Sequence, residues 1–361
     1  MLKTEFRFGN VRVSPCTVLS PMAGVTDAPF RRLCRILSGN RIGLLVSEFV
    51  STDGTSPFVL KNRKQLNFYP EERPFGIQIF GRSPERMAYA AQVLESLNPD
   101  YIEVNAGCPV PKVAGKGGGA GLLKDIPRLG KILAEVKKST QLPLTLKCRI
   151  GWDENSVNVM ETLKVAEGEG VEMLTVHGRT RVQGYNGFAD WNIIGEVASS
   201  AKIPVVGNGD VSSVGGALSR LSEFAVSGVS IGRGAMHNPW LFGEIADALE
   251  GKSARIVSSR EACGIFETYY GLMMEEGNST PFGALGRLKQ LAARLCKGFE
   301  PETREFRKSV LVSQSAEELF ERAARFADFA GENGISFVPE RLVNLNGRKD
   351  DAISFERQFR A

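Results

Sequence analysis

Between residues 16 and 249 the chain repeats one unit. A short apolar run comes first, then a polar or glycine-bearing turn, then a stretch with apolar positions three and four apart. The runs at 16–22, 44–49, 75–80, 101–104, 143–149, 172–177, 203–207 and 224–231 predict eight strands. The first helix is predicted from residue 27 or 28, with Pro29 in its opening turn and Phe30, Leu33, Cys34 and Leu37 on one face. Further helices are predicted at 84–97, 127–139, 156–169, 190–199, 214–221 and 239–249. Eight strands alternating with helices over roughly 240 residues have the rhythm of a (β/α)8 TIM barrel. A doubly wound open sheet is the alternative. The barrel is favoured because polar residues recur at the C-terminal ends of the strands, where barrels place their sites.

Near residues 251–259 the strand signal stops, and helical patterns carry the chain to about residue 330. The expected organisation is a barrel over 1–250, a smaller all-helical unit over 258–330, and a tail over 331–361. The weak periodicity of that tail reads as partial disorder.

Composition narrows the class. With 361 residues, 42% hydrophobic and 24% charged, the chain reads as an ordinary soluble protein. A net charge of +4 permits an anionic partner without requiring one. No apolar run approaches the ~20 residues that span a bilayer, and residues 1–7 lack the apolar core of a signal peptide. Six scattered cysteines without a C-x-x-C pair read as reduced thiols, not as disulfides or a zinc site. The expectation is a cytoplasmic protein with no membrane segment, no metal and no implied protein partner.

The polar strand ends are Ser20, Gln78, Asn105 with Cys108, Lys147 with Arg149, His177 with Arg179, Asn208 with Asp210, and Arg233. Singly, each reads as an ordinary loop contact. Gathered at one mouth without a ligand, they would carry a desolvation cost. Asn208-Gly209-Asp210 and Gly232-Arg233-Gly234 follow strands seven and eight, where barrels usually hold phosphate. Lys147 suits either a Schiff base or a flavin contact near N1. Gln78 and Asn105 can donate and accept together, as a flavin edge requires. Cys108 opens a loop containing Lys112, Lys116 and five glycines, which reads as a lid. Its thiol is read as a nucleophile or as a general acid.

Several stretches resemble the tRNA-dihydrouridine synthases. They are Ser20-Pro21-Met22-Ala23-Gly24-Val25-Thr26-Asp27, Asn105-Ala106-Gly107-Cys108-Pro109 with Lys112-Val113, Leu146-Lys147-Cys148-Arg149, His177-Gly178-Arg179-Thr180-Arg181, Asn208-Gly209-Asp210 and Ile231-Gly232-Arg233-Gly234-Ala235. A weaker resemblance covers 287–329, to the family's RNA-binding helices. The resemblance implies an FMN enzyme reduced by NADPH that acts on uridine in tRNA. It implies that Pro21, Met22 and Ala23 lie against the flavin. Gln78, Asn105, Lys147 and His177 would contact its ring or ribityl chain. Asn208, Gly209, Asp210, Gly232 and Arg233 would hold the ribityl and phosphate, and Cys108 would be the proton donor. Arg149, Arg179 and Arg181 would meet the uracil carbonyls or RNA phosphates, and Lys112 and Lys116 would ride on a lid closing over an extruded uridine. In the helical part, residues 282–308 carry seven basic side chains against three acidic ones. Arg287, Lys289 and Arg294 are the expected phosphate contacts there.

Overall fold

The computed structural model describes residues 2–52, 65–253, 255–277, 279–296 and 304–337. Lys297 and most of the expected tail lie outside the described residues.

The chain opens with an antiparallel hairpin, β1 (Phe6–Phe8) and β2 (Val11–Val13), which the sequence reading did not anticipate. Its apolar side chains meet the N-terminal ends of the barrel strands. Phe8 packs edge-on against Tyr101 at 5.4 Å between centroids, and a Cβ at Gly228 would lie 2.8 Å from Phe6. The hairpin therefore covers the floor of the barrel.

The barrel strands are β3 (Thr17–Leu19), β4 (Leu45–Val46), β6 (Phe75–Phe80), β7 (Tyr101–Ala106), β8 (Leu144–Arg149), β9 (Met173–His177), β10 (Val205–Asn208) and β11 (Gly228–Ile231). All pair in parallel in ring order, and a parallel bridge between Val18 and Leu44 joins the two ends. The expected second strand is interrupted. After β4 the chain leaves the sheet and rejoins it as β5 (Val50–Ser51) beside the far end of β6. Helices stand between the strands, as the periodicity predicts. Asp27, Ser83, Asp125, Asp190 and Ser213 each cap a helix with a side-chain oxygen.

Two segments differ from expectation. A short helix, Arg233–His237, follows β11 directly. The glycine loop after β7 is folded, with a helical turn at Pro111–Ala114 and a 3-10 helix at Gly119–Lys124. Residues Gly119 to Leu123 are buried. A Cβ at Gly121 would stand 2.4 Å from Ala114 O, and one at Gly119 3.0 Å from Cys108 Cβ. Those glycines allow close packing. Only the outer part, with Lys112 and Lys116, is exposed.

Among the described residues, four helices follow the barrel: Ser259–Glu275, Pro281–Leu295, Arg304–Leu311 and Ala316–Glu332. They rest on the first barrel helix, Ala28–Leu37. There Phe30 meets Tyr269 edge-on at 6.2 Å, and Arg32 Nη1 donates to Glu275 Oε2 at 3.1 Å. No helix among the described residues is long and apolar enough to cross a membrane.

Candidate active site

The C-terminal mouth of the barrel opens into a cavity of about 530 Å³. Its wall includes Pro21, Met22, Ala23, Asn105, Cys108, Lys112, Lys147, Arg149, His177, Arg179, Arg181, Asn208, Gly209, Asp210, Gly232 and Arg233. Strand register explains the gathering. Asn105 pairs with Lys147, Arg149 with His177, and His177 with Asn208, so successive strands present these side chains at matching heights.

Lys147 is a half-buried cation of the site. Its Nζ donates to Asn208 Oδ1 at 2.9 Å. Asn208 Nδ2 donates onward to Ser20 Oγ at 3.1 Å and to Ser230 O at 2.8 Å. The carboxyl of Glu103 lies one layer deeper, opposite Thr145 in the register. Burial drives both charges toward neutrality, Glu103 up to about 7 and Lys147 down to about 8, and each charge partly restores the other. Burial also pushes the His177 imidazole well below its usual range, helped by Arg149, Lys147, Arg179 and Arg233. His177 is therefore neutral.

Six basic side chains line this cavity against a single carboxylate, Asp210. That carboxylate is already engaged. Arg179 Nη2 donates to both Asp210 oxygens at 2.8 Å, and Arg233 Nη2 to Oδ1 at 3.2 Å. Ala189 N donates to Oδ2 at 2.7 Å. Asp210 thus holds the two arginines in place; of the ribityl chain and phosphate expected at this loop, a carboxylate suits the ribityl hydroxyls and not the phosphate. At Gly234 a Cβ would stand 2.5 Å from Val211 O, so the loops after β10 and β11 approach as only glycine permits. Cations, a close-packed glycine turn and a neutral imidazole fit a phosphate-bearing cofactor.

Cys108 faces the same cavity and is 8% exposed. Burial raises its thiol above the ordinary value, with the Arg149 charge opposing. Its backbone N–H donates to Asn105 Oδ1 at 2.9 Å. The thiol is therefore held in its protonated form.

Other expected ligand contacts have partners within the protein. Arg149 is 1% exposed. Its donors go to the carbonyls of Gly107 at 2.9 Å, Thr180 at 2.8 Å and Gly184 at 2.7 Å. It ties the Cys108 turn to the loop after β9, with those donors already engaged. Arg179 is likewise spent on Asp210, His177 and the carbonyls of Asn186 and Gly187. Gln78 is fully buried beneath Asn105, to which it is hydrogen-bonded, and is not part of the cavity wall. Lys116 stands outside the cavity wall, whereas Lys112 is part of it.

Arg287 is also not a free phosphate ligand. Both its terminal nitrogens donate to Asp27, the cap of the first barrel helix, Nη2 to Oδ1 at 2.6 Å, and Nη2 also donates to Tyr269 Oη. Lys289 and Arg294 are half-buried on the same helix. Arg181 lies 4.7 Å from the Trp152 ring and Lys124 4.3 Å from it. Three participants escaped the sequence reading: Glu103, Tyr185 and Trp152. Glu103 had a visible signal, a carboxylate in an apolar strand two positions before Asn105 and so on the same face.

A closed parallel barrel with a cation-rich cavity and a buried thiol at its C-terminal mouth defines a (β/α)8 barrel protein whose site suits an anionic ligand. Residues 18–329 match the family described as Dihydrouridine synthase (Dus). A probable tRNA-dihydrouridine synthase of Rickettsia conorii is 36% identical over 274 residues, 74% of this chain and 81% of the relative. The tRNA-dihydrouridine synthase B of Pseudomonas aeruginosa is 40% identical over 240 residues, 65% of this chain and 71% of the relative. The chain belongs to the dihydrouridine synthase family. Among solved structures, a 2-naphthoyl-CoA reductase complex superposes with a TM-score of 0.56 at 12% identity, over 91% of this chain and 69% of that one. Histamine dehydrogenase from Rhizobium sp. 4-9 gives 0.55 at 11% identity, over 74% and 51%. At those identities the likeness concerns the barrel fold alone.

Proposed function

We propose that this protein reduces uridines in tRNA to 5,6-dihydrouridine, with bound FMN and with NADPH as reductant. The observation that carries the reading is one cavity holding six cations, one ion-paired carboxylate and a buried thiol whose pKa burial raises. Family membership supports it. FMN, when bound, supplies the hydride for C6 of the uracil after taking one from NADPH.

The protein's own residues do the rest. Pro21, Met22 and Ala23 provide a flat apolar wall for the ring. Asn105 and Lys147 meet its polar edge, and the Lys147 ammonium favours negative charge there. Neutral His177, with Asn208, Gly209, Gly232 and Arg233, takes the ribityl chain and phosphate. Cys108 gives its Sγ proton to C5 of the uracil as negative charge builds there. With the hydride at C6, this adds the elements of H2 across the C5–C6 bond. The thiolate left behind recovers its proton from solvent. The uridine leaves its stack to enter the mouth. The exposed cations Lys112 and Lys116, with half-buried Arg181, favour the RNA backbone.

Replacement of Cys108 tests the reading. Cys108→Ala should stay yellow, bind FMN in a one-to-one ratio and oxidise NADPH, yet lose most dihydrouridine formation on tRNA. Unchanged turnover would remove the acid role, and a colourless parent protein unable to bind FMN would overturn the whole reading.

A further inference from the structure

The barrel interior holds one carboxylate that this chemistry does not use. Glu103 precedes Asn105 by two positions on β7, so both side chains leave the strand on one face. It is 3% exposed. Gln78 Nε2 donates to Glu103 Oε1 at 2.6 Å. Asn105 Nδ2 donates to Gln78 Oε1 at 2.7 Å. Asn105 Oδ1 in turn accepts the backbone N–H of Gly107 at 3.0 Å and of Cys108 at 2.9 Å.

The direction of this chain is determined at both ends. Two backbone N–H groups require an oxygen from Asn105, which leaves its amide nitrogen for Gln78. Gln78 must answer with its oxygen, so its own nitrogen needs an acceptor beyond. An ionised carboxylate is acceptor-only and satisfies that need in any rotamer. A glutamine side chain in its place would not. The Lys147 charge also favours the ionised carboxylate at this position, a support that a neutral amide would lose.

We propose that Glu103 is a positioning residue for the Cys108 thiol: as terminal acceptor it sets the direction of the Gln78 and Asn105 amides and thereby holds the turn at Gly107 and Cys108. The inference rests on Cys108 being the proton donor. Reversing Gln78 or Asn105 would turn an NH2 group onto two backbone N–H donors and release the turn that carries the thiol. Displacement of a reacting group by about an ångström costs on the order of a hundredfold in rate, so a partly released turn should cost at least about tenfold.

The chain makes an unusual rescue available. In the exchanged pair, Gln78→Glu with Glu103→Gln, the carboxylate introduced on β6 accepts from Asn105 and from the amide nitrogen introduced on β7. Direction is restored while the carboxylate has moved to another strand. Parent, E103Q, the exchanged pair and C108A are compared in three ways: dihydrouridine formation on tRNA, melting temperature, and the rate of Cys108 alkylation by iodoacetamide followed by peptide mass. E103Q should lower kcat by about tenfold or more with KM for tRNA within about twofold, and should change the alkylation rate several-fold. The exchanged pair should bring both back toward the parent. Parent-like kcat and alkylation in E103Q would overturn the proposal. So would an exchanged pair that folds but stays as impaired as E103Q, which would leave only a local charge partnership with Lys147. If E103Q does not fold, the exchanged pair decides alone: parent-like alkylation supports the chain, altered alkylation overturns it. Turnover by C108A would sink the proton-donor reading separately, because the alkylation rates still report whether Glu103 holds the Cys108 turn.

Discussion

Arg287 offers the sharpest test of how the helical segment relates to the barrel. Its charge places it among expected RNA contacts, but its side chain is committed to Asp27 and Tyr269. Asp27 caps the first barrel helix, accepting from Phe30 N at 3.3 Å. It also faces Glu48, whose carboxyl is raised first by burial and then by the Asp27 charge. Removing the guanidinium leaves Arg31 as the remaining cation that offsets the Glu48 charge beside Asp27. Breaking a fully buried pair costs about 3–5 kcal/mol, whereas an exposed pair contributes up to about 1. Arg287 and Asp27 each keep 24% of their side-chain surface exposed. Their loss should therefore fall between, at about 2 kcal/mol. At about 2–4 °C per kcal/mol this lowers the melting temperature by roughly 4–8 °C. Arg287→Gln, Asp27→Asn and the double variant form a cycle, with asparagine keeping the helix cap. The double variant should lose less than the sum of the singles. Binding of tRNA, followed across a salt series, should keep its slope, because a residue already ion-paired releases no counterion from RNA. A variant that melts with the parent and lowers the salt slope by about 0.7–0.9 would refute the brace and restore the phosphate contact.

Three further outcomes follow from particular contacts. Because burial holds the Cys108 thiol above its ordinary 9.0, the protonated form persists through neutral pH. Single-turnover uridine reduction should stay flat up to about pH 9 and fall only beyond it, and a decline starting near pH 7 would argue for a different acid. Gly209 has φ 127°, and a Cβ there would stand 2.4 Å from Ala189 Cβ. Gly209→Ala should cost about 1–3 kcal/mol and loosen the flavin, seen as a lower melting point and faster flavin release. Trp152 carries Lys124 and Arg181 on its ring. Trp152→Leu should weaken tRNA binding a few-fold, from about 0.5–1 kcal/mol per lost cation contact, with FMN content unchanged.

The sequence makes the barrel legible wherever a strand is bounded by strong punctuation. Phe75–Phe80 is read to the residue because Pro74 precedes it and Gly81 follows. The floor hairpin escapes because three-residue strands are too short for any period to register. The glycine loop misleads for a physical reason. Glycine serves both a free backbone and a close approach, and the sequence does not say which. At Gly119 and Gly121 it is close approach. Arginine is ambiguous in the same way. Arg149, Arg179 and Arg287 announce charge, but their partners are carbonyls and carboxylates supplied by distant segments. The cavity residues Asn105, Lys147, His177 and Asn208 are legible because each lies at the end of a strand, so the fold alone decides where they point.

The two polar chains in the barrel run in complementary directions, and this has a consequence for both halves of the proposed reaction. One begins at the Lys147 ammonium and donates outward through Asn208 to Ser20 and the Ser230 carbonyl. The other begins at the N–H groups of Gly107 and Cys108 and ends at the Glu103 carboxylate. Lys147 is thus a source of donors and Glu103 a sink, and the two are the charged ends that act on each other across β7 and β8. Neither charge is stable alone at that depth, since burial drives each toward its neutral form. A neutralised Glu103 would gain a donor and loosen the thiol side, and a neutralised Lys147 would free a lone pair beside Asn208 and unsettle the cofactor side. The Asn208 chain and the turn that holds the thiol are therefore coupled through the mutual charge effect of Lys147 and Glu103. Lys147→Met and Glu103→Gln should be strongly non-additive, with an interaction of about 1 kcal/mol or more in both FMN affinity and Cys108 alkylation. Additive effects on both readouts would mean that the two chains act independently.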